Sequence, residues 1–366
     1  MPRVHPHCRI SVCREEQGLS QAELARRAGM SRQLLNIIEH GKAAPSVFVA
    51  MQIADALGCA VGELFGDAEI SDSLPVRLSE SAAVGASVRL GKVGDDWVAI
   101  SADLVEASGF AAADGRLLTR RGARAKAQPW ISERRLCQNL FIAGCDPALG
   151  IVRDLWARKG SSGAVCWRNL SSSAALDALR RGEAHVAGFH FPEGNDGLAA
   201  RAALPAGSTI VRFACWEQGW MIRRGNPSGF RAAEDLASRR FRLLNRPVGS
   251  GSRMLLDRLL QQAGVAPRKV PSYGDIAPTH ADCAVAVAQG RADAAIGLRA
   301  VAAQHGLDFL SLERVAFDLL ILDRDKCSEP VQRLLQMLQQ RSLRAQLDGL
   351  PGYETRETGH EFRSSV

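Results

Sequence analysis

Two sets of side chains in this 366-residue sequence have the types and spacing to do chemistry. Arg32, Gln33 and Asn36 stand at the first, second and fifth positions after the hydroxyl of Ser31. On a helix they share the side away from Leu34, Leu35 and Ile38. There each can make paired hydrogen bonds to a base edge in a major groove, Arg to guanine and Asn or Gln to adenine. The second set lies in three loops: Gly144-Cys145-Asp146-Pro147, Ser171-Ser172-Ser173, and the run Arg246 to Arg253 with Gly249, Ser250, Gly251 and Ser252. Short hydroxyls and glycines at helix starts supply donors without bulk, as an oxyanion requires. Each loop taken singly is also ordinary capping composition; the three together argue for a site.

The elements that present the first set are marked by caps and glycines. Residues 9–17 read as a short helix closed by Gly18. Ser20 with Glu23 three residues on is a capping box. It opens a helix over 21–28 that ends at Gly29, a residue type that tolerates the left-handed turn between two helices. Ser31 caps a third helix running to about His40. Leu24, Ala25, Ala28, Leu34, Leu35 and Ile38 are expected to share one core, which Ile53, Ala54, Leu57 and Leu64 extend.

The second set sits in a longer alternation. Apolar runs at 140–143, 164–167 and 186–189 alternate with helices near 147–159 and 173–182. Runs at 219–222, 241–244 and 294–297 alternate with helices near 232–238, 252–264 and 281–290. Such alternation implies parallel sheets covered by helices, and over 200 residues of it imply two lobes. Ligands of such sheets bind beyond the carboxyl ends of the strands. Tyr273 lies in a loop that can line the cleft or simply pack. Trp216 and Trp220 read as core, and His185, His190 and His280 as packing or capping groups. Between the helical start and this part, 86–93 and 97–101 form a hairpin around Gly94-Asp95-Asp96. A weaker pair is expected at 109–113 and 116–119, joined by Asp114-Gly115. Arg120 to Lys126 is the densest basic run, read as a solvated loop with DNA contact as the alternative.

Length implies two or three units. The expected division is 1–66 all-α head, 67–135 β-rich spacer, 136–347 two-lobed α/β domain and 348–366 C-terminal tail. No run suits a membrane span or a signal peptide, so a cytoplasmic protein is expected. Nine cysteines without a Cys-x-x-Cys pair are read as reduced and mostly buried. The formal charge of +7 suits a nucleic acid, but residues 1–66 hold seven Lys/Arg against six Asp/Glu, so the excess lies elsewhere.

The stretches Ser-Gln-Ala-Glu-Leu-Ala-Arg-Arg-Ala-Gly-Met-Ser-Arg-Gln (20–33) and Ile-Glu-His-Gly-Lys-Ala-Ala-Pro-Ser (38–46) resemble the Xre/Cro/phage-repressor helix-turn-helix family over residues 8–66. The resemblance implies that Gln21 contacts a phosphate and braces the recognition helix, while Arg32, Gln33 and Asn36 face bases. It also implies that Gly41-Lys42 brings a backbone amide and an ammonium to the DNA backbone. Ala-Gly-Cys-Asp-Pro (143–147), the runs 179–188, 216–219, 224–227 and 245–253, Thr279-His280 and 290–294 resemble the molybdate-binding-protein-like domain. That domain is a cytoplasmic relative of periplasmic type II solute-binding proteins, and the likeness covers about 137–347. It implies two lobes joined by crossing strands near 209–216 and 316–323, with Thr279 among the ligand-binding residues. Cys145 stands where a Ser or Thr is expected, and Asp146 lacks a preceding His. Arg246 and Arg253 would add fixed positive charge, which suits a carboxylate or phosphate as well as molybdate.

The expectation is a homodimeric transcription regulator that binds an operator in double-stranded DNA and senses a small anion, molybdate, a similar oxyanion or a small organic acid. Neither a cofactor nor a metal is expected. An enzyme on the same fold is the rival, with Cys145 as its one candidate nucleophile; a ligand-independent interaction module is the third reading.

Overall fold

The computed structural model describes residues 9–65, 70–104, 112–158, 163–190, 204–238 and 240–363. The chain forms two compact units, Met1–Ser71 with Ser132–Arg134, and Asp72–Ile131 with Arg135–Val366.

The first unit is helical: α1 (Ile10–Glu16), α2 (Gln21–Arg27), α3 (Arg32–Glu39), α4 (Val47–Leu57) and α5 (Val61–Phe65). Ser20, Ser31 and Ser46 cap α2, α3 and α4, each hydroxyl accepting from the N–H three residues on. Gly29, at φ +66°, makes the turn between α2 and α3 that a side chain would strain. Leu24, Leu35, Ile38, Ile53, Leu57 and Leu64 form the core with Ile10. Leu34 does not join them; it is 39% exposed, because Leu35 and Ile38, three apart, already take the inward face of this short helix. The Glu23 carboxylate accepts from Arg26 and Arg27.

The second unit begins with β1 (Leu74–Leu78), β2 (Ser87–Val93), β3 (Asp96–Ser101), β4 (Gly115–Arg121) and β5 (Arg124–Pro129), closed into a barrel in the order β1-β3-β2-β4-β5. Closure leaves no open edge. The β2–β3 hairpin pairs Val93 with Asp96 across Gly94-Asp95. The second hairpin differs from expectation: β4 pairs with β5, Arg121 opposite Arg124, around Gly122 at φ +65°. Asp114-Gly115 leads into β4 instead of turning, with the Asp114 side chain buried; residues 105–111 of the expected pair lie outside the described residues.

An eight-stranded sheet follows. After the short α6 (Glu133–Leu136), β6 (Leu140–Ala143), β7 (Val165–Arg168) and β8 (Val186–Phe189) are parallel and carry α7 (Leu149–Arg158) and α8 (Ser172–Arg180). β9 (Ser208–Ile222) and β11 (Asp308–Leu322) run antiparallel over fifteen residues each, from Ser208 opposite Leu322 to Ile222 opposite Asp308. One half of this pair meets β8; the other meets β10 (Ala294–Leu298). Around β10 lie α9 (Gly251–Gln262), α10 (His280–Ala288) and α11 (Arg299–Gln304). The run 241–244 is held by the single bridge Leu243 to Ala294, not by a full strand. Residues beyond 347, expected to trail, instead add β12 (Tyr353–Glu354) and β13 (Glu361–Arg363) to β9. Pairing to a long strand holds pieces too short to stand alone.

The barrel is built onto the lobe of β6 to β8. Asn139 donates to Leu90 O (2.7 Å) and Asp114 Oδ2 (3.0 Å) and accepts from Ala164 N (2.7 Å). His185 accepts at Nδ1 from Phe141 N and donates from Nε2 to Lys92 O. Gly94 N donates to Asp325 Oδ1, and Val93, Val98 and Ile100 share a small core with Phe141 and Cys166.

Candidate DNA-reading face and anion cleft

On α3, Arg32, Gln33 and Asn36 are exposed, and Ser31 caps the helix with its Oγ accepting from Leu34 N (3.2 Å). Gln21 lies beneath them. Its Nε2 donates to Asn36 Oδ1 (3.3 Å) and to Glu39 Oε2 (2.5 Å), while Arg14 Nε donates to Glu39 Oε1 (2.9 Å). The buried Glu39 carboxylate therefore ties α1, α2 and α3 together, a role with no local signal in the sequence. The amides of Gly41 and Lys42 close the end of α3, donating to Ile38 O and Ile37 O. Of the expected backbone contact at this turn, the exposed Lys42 ammonium is what remains.

The second site lies between the two lobes. Arg246 is 2% exposed; its Nη1 donates to Ala277 O (3.2 Å) and its Nε has no partner among the described residues. Burial pushes its guanidinium down, and Cys145, Cys283 and Asp282 are the groups whose charge it feels. His190, at the end of β8, and His280, the first residue of α10, feel the charge of Arg246 in turn. Burial first, then Arg246, lowers His190 to about 4 and His280 well below the ordinary value. Trp216 stands between the rings, 5.1 Å from His190 and 6.2 Å from His280. Both nitrogens of His280 and Nε1 of Trp216 lack partners among the described residues. Unpaired buried polar atoms are costly, so a group of them in one place points to a polar occupant.

Asp146 closes the cluster. Its Oδ1 accepts from Ala148 N (2.8 Å) and from the Tyr353 hydroxyl (2.6 Å), and Oδ2 has no partner among the described residues. Burial raises its carboxyl to about 7 against the lowering by those two bonds. Tyr353 lies 6.2 Å from Trp216, ring to ring.

Helix starts frame this cluster. Ser171 caps α8, Ser250 caps α9, and Thr279 caps α10 with Asp282 completing the box. Ser172 Oγ accepts from His190 N (3.2 Å), and Ser252 Oγ accepts from Gln218 Nε2 (2.7 Å). Ser173 N and Oγ both donate to Gly249 O across the lobes, at 3.3 and 3.2 Å. A Cβ at Gly249 would lie 2.9 Å from Ser173, and one at Gly251 would overlap the His190 ring. Gly144 passes so close to Gly188 that its Cβ would lie 3.0 Å from the Gly188 Cα. Capped helix starts beside a buried guanidinium are a setting that suits a compact anion.

Other sequence candidates go elsewhere. Tyr273 lies under the Arg253 guanidinium, 4.0 Å from ring centre to Cζ, and its hydroxyl donates to Asp257 Oδ1. Arg253 is thereby held along α9, leaving Arg246 as the fixed charge of the cluster. The Cys145 thiol, pushed up to about 12 by burial, is not a thiolate nucleophile near neutrality. The cysteines divide into buried (145, 166, 283), half-buried (13, 59, 137, 215) and exposed (327) among the described residues, fewer buried than expected.

Residues 153–339, just over half of the chain, match the family model of the PBP superfamily domain, and residues 10–64 match that of a helix-turn-helix. The chain belongs to the PBP superfamily. It joins an Xre-type helix-turn-helix transcription-regulator domain to a PBP-type ligand-binding domain. The uncharacterized Bacillus subtilis protein YvgK is 36% identical over 150 residues, 41% of this chain and 48% of that protein, so the chain spans about half of that relative. An uncharacterized Clostridium pasteurianum protein of the ferredoxin 2Fe-2S gene 5′ region is 30% identical over 107 residues, 29% of this chain and 95% of its own length. A Methanothermobacter thermautotrophicus HTH-type transcriptional regulator is 49% identical over 45 residues, 12% of this chain and 65% of that protein. An ABC-type phosphate transport receptor from Vibrio cholerae overlays 58% of this chain and 98% of its own, with 11% identity and a TM-score of 0.40. Among the described residues no helix is long and apolar enough to cross a membrane.

The PBP-type cleft explains what the sequence alone did not place. In the sequence His190 and His280 read as packing or capping groups and Trp216 as core, and Tyr353 lies in the stretch expected to trail. His280 had one usable signal, its position directly after the Thr279 cap; Tyr353 had none.

Proposed function

We propose that the chain is a cytoplasmic one-component transcription regulator, acting as a homodimer. Arg32, Gln33 and Asn36 read an operator half-site, with Gln21, Ser31 and Lys42 placing the recognition helix on the phosphates. The interlobe cleft takes a small anion, and the candidates remain molybdate or a similar oxyanion and a small organic acid. The observation that carries this reading is the meeting of Arg246 Nε, His280 and Trp216 Nε1, all buried and unpartnered among the described residues, at one place between the lobes. One guanidinium among neutral donors can hold a carboxylate or an oxyanion by charge-assisted hydrogen bonds. Around it, Gly144, Cys145, Asp146, Ser171, Ser172, Ser173, Gly249, Ser250, Gly251, Ser252 and Thr279 form the wall of the cleft or cap the helices that do. Tyr273 supports α9 from outside.

The test is a thermal-shift screen of the full chain against molybdate, phosphate, sulfate and short-chain carboxylates. The reading expects one class to raise the melting temperature in wild type and not in Arg246→Ala. Equal shifts in both proteins would remove Arg246 from the site.

A further inference from the structure

We propose that the outer face of the β4–β5 hairpin is a second DNA contact, one that grips phosphates without reading sequence. Residues 67–135 hold ten Lys/Arg and ten Asp/Glu, yet 115–132 hold five of those cations and no acidic residue. The segment 67–135 is balanced in total and polarised in arrangement.

Strand register puts the charges on one side. Leu117, Ala125 and Ala127 face the barrel core, while Arg116, Arg121, Arg124 and Lys126 are exposed. Arg121 stands opposite Arg124, Thr119 opposite Lys126, and Arg116 opposite Gln128. On its other side Arg124 stands opposite Arg77 of β1. Directly opposed like charges in a sheet are destabilising, so this arrangement works against the fold of the barrel unless an anion neutralises it. Arg77 is drawn off to the carbonyls of Arg181 and Gly182 and to the Asp96 carboxylate (3.6 Å), and Arg120 donates to Ser81 Oγ and Ala82 O. Arg116 donates to Gln128 Oε1 (2.9 Å). The remaining cations, Arg121, Arg124 and Lys126, enter no ion pair or side-chain hydrogen bond among the described residues.

A strip of exposed cations without intervening carboxylates is complementary to a phosphate backbone and carries no base-reading geometry. The occupant is duplex DNA because the same chain carries a DNA-reading head, which raises the local concentration of DNA phosphate at the barrel. The strip adds affinity and salt dependence, not sequence choice.

The test uses the full chain and a 30-base-pair duplex of arbitrary sequence, titrated between about 50 and 200 mM salt. Arg116→Gln, Arg121→Gln, Arg124→Gln and Lys126→Gln are combined in one variant, and Arg32→Ala with Gln33→Ala in another. The first should weaken binding at least tenfold at the low-salt end. It should also flatten the plot of log affinity against log salt by about 0.9 for each phosphate that is no longer neutralised. The second should keep the part of the slope that the first removes. An unchanged slope and affinity in the first variant, at an unchanged melting temperature, would overturn the proposal. So would binding that shifts from duplex to anionic vesicles or an acidic peptide as the preferred partner of wild type. If the fourfold variant does not fold, Arg124→Gln with Lys126→Gln alone carries the test, with a slope shallower by about 2 expected.

Discussion

Arg246 is the residue on which the cleft turns. Its guanidinium is buried, touches one carbonyl through Nη1, and sets the charge that His190 and His280 feel. Removing it should lower the affinity for whichever anion binds by about 2 kcal/mol or more, roughly thirtyfold. Calorimetric titration of Arg246→Ala checks this; an unchanged Kd would place the anion elsewhere. Asp146 gives a second prediction, one of pH. Burial raises its folded value to about 7, above the ordinary 3.8, so the folded state holds the proton more tightly than the unfolded chain. Its contribution to stability is complete below 3.8 and is lost as pH rises through about 7. His190, lowered to about 4, runs the other way, losing stability as pH falls from 6.5 through that value. In Asp146→Asn the His190 slope remains and the Asp146 slope goes. Urea unfolding from pH 4 to 8 should therefore show the lead of wild type over Asp146→Asn shrinking as pH rises, by up to a few kcal/mol. Parallel curves would mean that Asp146 ionises normally.

At the scale of elements, caps and glycines made the head readable because its signals are local. Ser20, Gly29 and Ser31 each act within four residues of themselves, and α2 and α3 begin where those residues place them. The crossing strands were readable in part: 209–216 and 316–323 fall almost wholly on β9 and β11, but their fifteen-residue span comes from mutual pairing, which no single strand announces. Asp146 and Tyr353 meet across 207 positions of sequence, and no periodicity carries that distance. The docking of the barrel was equally hidden, since it rests on Asn139 meeting Leu90 and Asp114. Asn139→Ala should cost about 1–3 kcal/mol by leaving buried groups unpaired, measured by chemical denaturation; a loss below about 0.5 kcal/mol would mean that these groups find other partners. Gly251→Ala tests the lobes themselves. Its Cβ would overlap the His190 ring across the cleft while α9 tolerates alanine well, so the anion-induced melting shift should vanish without loss of fold. An undiminished shift would show that the lobes need not approach this closely.

For the whole molecule, an Xre-type helix-turn-helix domain is joined to a PBP-type ligand-binding domain, and the proposed function needs the two to be coupled. A ligand can alter DNA binding only as far as it prefers one arrangement of the protein over another. Regulated proteins of this kind show couplings of about 1–3 kcal/mol, or 5- to 150-fold. The most direct measurement is the affinity of the full chain for a duplex it has itself selected from a random-sequence pool, with and without an anion that stabilises it. A change in Kd of at least about fivefold is expected, lost in Arg246→Ala. An anion that binds the cleft and leaves that Kd unchanged would contradict a regulator governed by its cleft.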